Sequence, residues 1–150
     1  MWEDEDQDQN DNNDCDPEKE RKRVESLPIF QKAEEIRDLT RRIIESIDDE
    51  RVRMIHMNTM LEDSIVIPER IAAAEAIDDF VGKMENATIV KIHARSLRNQ
   101  SESLLFDGAL PKDYLILLKK EIELFRKLFI EWVRSFDSSR AKDDGWGLFF

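Results

Sequence analysis

From Met54 to Glu75 the chain repeats one geometry: Met54, Met57, Leu61, Ser64, Pro68, Ile71 and Glu75 follow one another by alternating threes and fours. That spacing brings side chains back to one face of an α-helix turn after turn and makes a packed seam. Ile65, Ile67 and Ala72 widen the stripe. Pro68 interrupts the pattern in its middle, removing one backbone donor and crowding the carbonyl four residues earlier, at a cost of roughly 3 kcal/mol in an isolated helix. The expected outcome is a kinked helix held by its packing. Ala72, Ala73, Ala74 and Ala76 follow, strong helix formers with almost no side chain, so the closest helix approach is expected there.

Three further stretches carry the same periodicity. The first helix is expected from Pro28, a residue suited to a first turn, to about Ile47, with Phe30, Ala33, Ile36, Thr40, Ile43 or Ile44, and Ile47 along one face. Asp48 and Asp49 end it and cap the seam helix, which runs from about Glu50 to Ala76. Asp78 or Asp79 can cap a third helix over about 79–104, carrying Phe80, Met84, Ala87, Ala94 and Leu97, with Val81, Ile89 and Ile92 beside them. The third helix stops before Asp107 and Gly108, and Pro111 opens a fourth that continues to about Phe136 through Leu115, Leu118, Ile122, Phe125, Phe129 and Trp132.

Four amphipathic helices with short joins define an all-α, antiparallel up-and-down four-helix bundle with a kinked second helix. Residues 26–137 form this bundle, between a disordered acidic tail over residues 1–25 and a C-terminal tail over residues 138–150. The fourth helix has more apolar surface than one bundle face needs, since Tyr114, Leu117, Leu124, Leu128 and Val133 form a second set. The C-terminal tail is polar through Gly145 and then reads Trp146-Gly147-Leu148-Phe149-Phe150. Surplus apolar surface of this kind implies a further contact. The tail either folds back on its own bundle or docks on another subunit or partner. Phe129, Trp132, Phe136, Trp146, Leu148, Phe149 and Phe150 are the expected contact residues, and a second copy of the chain is the expected partner.

Charge is distributed unevenly along the chain. Residues 1–20 hold ten acids against Lys19, a net of −9, which leaves 24 acids and 22 bases in the remainder. The tail has too little apolar surface to offset the entropy of ordering. Its Asp4-x-Asp6-x-Asp8 spacing lacks the glycine and the closing glutamate of a calcium loop. Arg21, Lys22 and Arg23 read as a solvated lead into the first helix. The single cysteine, Cys15, can form no intrachain disulfide. No segment reads as a signal peptide or approaches the roughly 18 apolar residues of a membrane span, so a cytoplasmic chain with no membrane contact is expected. Asn86-Ala87-Thr88 and Asn99-Gln100-Ser101 match the glycosylation sequon but fall on an expected helix.

Chemistry has little to work with in these residues. A di-metal site in a helical bundle uses Glu-x-x-His pairs, but His56 follows Arg53 and His93 follows Val90 at that spacing. Glu62, Glu75 and Glu85 are expected near the interior, paired with Arg70 or Arg95. No Gly-x-Ser-x-Gly elbow or phosphate-binding glycine loop occurs. No enzyme, cofactor or metal site is expected. Lys32, Arg37, Arg41 and Arg42 on the first helix, with Lys91, Arg95 and Arg98 on the third, form a candidate nucleic-acid face, against which the acids interleaved on the same helices argue for a solvated one.

Phe30-Gln31-Lys32-Ala33 at the opening of the first helix, and Ile67-Pro68 with Ile71-Ala72 in the second, resemble the bacterial four-helix-bundle family of the 23S rRNA intervening-sequence protein. That family includes the accessory variability determinant of diversity-generating retroelements. The resemblance spans about residues 27–136. Aligned on Pro68, Val66, Arg70, Ala73 and Ala74 stand where the family has serine, asparagine, glutamate and glycine. The resemblance implies a four-helix bundle, a pentameric ring, and a basic surface that binds nucleic acid and a reverse transcriptase. The leading expectation is a non-enzymatic scaffold that self-assembles; the alternative is a nucleic-acid or ribonucleoprotein adaptor.

Overall fold

The computed structural model describes residues 16–150. Among them the secondary structure is helical, with no strand: α1 (Pro17–Glu25), α2 (Pro28–Glu45), α3 (Glu50–Glu75), α4 (Phe80–Asp107), α5 (Lys112–Arg134) and a 3-10 turn over Ser138–Arg140. The four long helices agree with the expected spans to within a few residues at each end. Their starts follow the expected chemistry. Pro28 occupies the first turn of α2. The Asp49 carboxylate accepts from the Arg51 and Val52 amides at the head of α3, and Asp79 accepts from the Gly82 amide at the head of α4.

Helix α1 departs from the expected disorder over residues 17–25; residues 1–15 of the acidic tail, Cys15 included, lie outside the described residues. Asp16 caps the helix by accepting from the Glu18 amide, and Pro17 fits its first turn. Arg21 pairs with Glu25 and Lys22 with Glu18 along its surface. Such exposed pairs add only a few tenths of a kcal/mol each. The helix is anchored instead by Val24, which is buried, and by Arg23, whose Nη1 donates to Glu75 Oε2 on α3 at 2.9 Å. The basic run therefore belongs to a helix and reaches the folded body.

Each long helix packs against two others: α3 against α2 and α4, and α5 against α2 and α4. Ile36, Ile43, Ile47, Met60, Ile67, Ile71, Val90, Leu97, Leu104, Leu115, Leu118 and Phe125 fill the space between them. The first half of α3 is turned relative to the expected seam. Met54 is 66% exposed and Met57 half-buried, while His56, Met60 and Asp63 face inward. From Ser64 onward the expected seam is buried through Ile71. Ala74 is fully buried and Ala73 only partly, so the tight approach falls on Ala74.

Candidate interaction site

Three places concentrate polar or exposed apolar groups. The first is a ladder between α3 and α4. His56 Nδ1 lies 2.9 Å from Gln100 Oε1, and His93 Nδ1 lies 2.8 Å from Asp63 Oδ1. Rising numbers on α3 meet falling numbers on α4, so this pair of helices is antiparallel. The histidines thus find partners on the facing helix. Reading each one only against its own helix missed Asp63, which is buried with Oδ2 unpartnered among the described residues. One signal was available: His56 and Asp63, like His93 and Gln100, stand seven apart and so share a helix face. No group of three or more metal-ligating side chains occurs among the described residues.

The second place is the C-terminal end of α3. Glu75, expected near the interior, is there, but its partners are neither Arg70 nor Arg95. Its Oε1 accepts from Trp132 Nε1 at 2.7 Å, and Oε2 accepts from Arg23. Lys83 donates to the Ala74 carbonyl at 2.8 Å and lies 5.5 Å from the Phe136 ring centre. These contacts satisfy a terminal carbonyl and lock α1, α3, α4 and α5 together at one end. Trp132 is buried there, and Phe136 packs edge-on against it with ring centres 4.9 Å apart. Trp132 is therefore removed from the expected contact set: its indole is used inside the chain. Phe129 and Phe136 are half-buried beside it. Glu62 is exposed and Glu85 half-buried.

The third place is the C-terminal tail with the surface of α5. Trp146, Leu148, Phe149 and Phe150 are 86, 70, 51 and 62% exposed. Gly145 and Gly147 both take positive φ, bending the backbone on either side of Trp146. The Gly145 amide donates to Asp143 Oδ1 at 2.9 Å and the Trp146 amide to Asp144 Oδ1 at 3.0 Å. The tail does not fold back to bury its apolar residues. Tyr114, Ile116, Leu117 and Leu124 of α5 are exposed as well.

The candidate nucleic-acid face does not come together. Its two halves lie on α2 and α4, which stand across the core from each other rather than side by side. Lys32 donates to Glu35 and to Glu121 at 2.6 and 2.7 Å, and these two carboxylates hold its ammonium above the usual lysine range. Arg37 pairs with Glu34, and Arg41 with Asp38. Arg42 is exposed on the same helix. Lys91, Arg95 and Arg98 make no ion pair among the described residues. They border a groove of about 300 Å³ between α4 and α5, floored by Ala94, Ile122, Phe125, Phe129 and Ile130.

The class these features define is an all-α chain, among whose described residues no helix is long and apolar enough to cross a membrane. Comparison of the chain with family models, with curated proteins and with solved structures finds no match.

Proposed function

We propose that the chain is a non-enzymatic scaffold of the cytoplasm whose four long helices form an antiparallel up-and-down bundle, bent at Pro68, and which assembles with copies of itself. The observation that carries this reading is the exposure of Trp146, Leu148, Phe149 and Phe150. Four large apolar side chains within five residues, left largely in water, favour association because fully burying an exposed side chain of this size against a second surface releases at most about 1.5–3 kcal/mol. The exposed residues of α5 add to the same surface. The resemblance to the intervening-sequence family makes a pentameric ring the expected stoichiometry. A crystal structure with a straight α3 axis would remove the bend at Pro68 and leave the rest.

Light scattering on the full chain and on a chain ending at Ser139 tests the assembly. The full chain is expected at a multiple of the monomer mass, and the shortened one at a lower mass. A monomer in both cases overturns the proposal. The adaptor reading is less well supported, because three of the four basic residues of α2 are already paired with acids.

A further inference from the structure

We propose that residues 143–150 of one copy dock in the groove between α4 and α5 of a second copy. This rests on the self-assembly reading and names the surface that receives the tail.

The groove has an apolar floor and a basic rim. Ala94, Ile122, Phe125, Phe129 and Ile130 make the floor. Lys91, Arg95, Arg98 and Arg126 stand around it with one acid, Glu123, which pairs with Arg126 at 2.6 Å, so cations outnumber acids on the rim four to one. The tail has the complementary composition in the complementary order: Asp143 and Asp144, then Trp146, Leu148 and Phe149. About 300 Å³ is at the lower end of the size of ligand pockets, room for one or two large side chains. An indole inserted on the floor would leave the two aspartates beside the free cations of the rim. Complementary charge of this kind sets register and speeds encounter, while the buried aromatic anchor supplies most of the affinity. A phosphate backbone would use the cations but leave the apolar floor uncovered.

Within one chain both surfaces are unsatisfied, with the groove open and Trp146 86% exposed. Donor and acceptor are different parts of the same molecule, so the contact is head-to-tail. It closes either as a ring or as a pair of chains exchanging tails.

Complementation between full-length variants tests this. One variant carries Trp146→Ser and Phe149→Ser and keeps an intact groove; the other carries Arg95→Glu and Arg98→Glu and keeps an intact tail. All four sites are exposed, and unchanged helical circular dichroism checks that both fold. Analytical ultracentrifugation is expected to show each variant alone associating at least about tenfold more weakly than the unaltered chain. Mixed together, they should recover a two-chain complex. A groove variant that assembles normally overturns the docking site while leaving self-assembly standing, and so does a mixture that fails to complement. If that groove variant instead loses affinity for a labelled RNA oligomer, the groove serves nucleic acid. An unaltered chain that is monomeric overturns self-assembly together with the docking site. If the emission that the unaltered chain loses on Trp146→Ser is nonetheless that of a buried indole, the tail closes on its own groove.

Discussion

Asp63 places a carboxylate inside the fold between α3 and α4. It is 3% exposed, His93 is its partner, and its second oxygen has none among the described residues. Stripping a buried polar group of its partner costs more than the bond itself contributes, about 1–3 kcal/mol. His93→Ala should therefore lower the unfolding free energy by an amount of that order, seen as a lower urea midpoint. Asp63→Asn, which can still bond to the imidazole, should lower it less. A His93→Ala midpoint indistinguishable from the unaltered chain would show that the pair carries no stability. The identities of these residues were plain in the sequence, but their pairing was not: 30 positions separate Asp63 from His93. Only the register of α3 against α4 brings them together.

Helices α2 to α5 follow from apolar periodicity, proline at or just before a first turn, and aspartate caps, and their limits were legible to within a few residues. Helix α1 was not, because its nine residues contain one buried side chain, and the feature that anchors it, the Arg23–Glu75 bond, spans 52 positions. The rotation of α3 was hidden for a related reason. Met54 and Met57 suit a seam as well as His56 and Met60 do by spacing, and the choice is made by what α4 offers opposite, Gln100 to His56. The same rotation decides which alanine lies at the close approach. Ala74→Leu should overpack the interior and cost about 1–3 kcal/mol, seen as a drop in melting temperature, whereas Ala73→Leu should cost less. Equal effects from the two would place the contact elsewhere.

Across the whole molecule, the contact between α2 and α5 completes the circuit of helices, and Lys32 bridges it to Glu121. Hydrogen bonds to Glu121 and Glu35 raise the Lys32 pKa above its ordinary value. A group whose folded pKa is raised contributes stability that is fully present below its unfolded value and is lost as pH rises through the folded one. The contribution should therefore hold at neutral pH and fall away above about pH 10. Lys32→Met should lower the urea midpoint at neutral pH and flatten its decline on the alkaline side. A variant whose midpoint falls with alkaline pH as steeply as that of the unaltered chain would separate Lys32 from that decline.

The limits of α2 to α5 and the surplus of apolar residues near the C-terminus were written in the order of residues, because capping, proline geometry and the 3.6-residue repeat act over a turn or two of chain. Which polar groups meet was decided only by the packed structure. Partners 30 to 89 positions apart, His93 with Asp63, Trp132 with Glu75 and Lys32 with Glu121, are joined by helix register. The same packing took Trp132 into the core and parted the two halves of the basic face. It left the tail from Trp146 in solvent, since burial depends on which surfaces are already covered and local sequence does not record that.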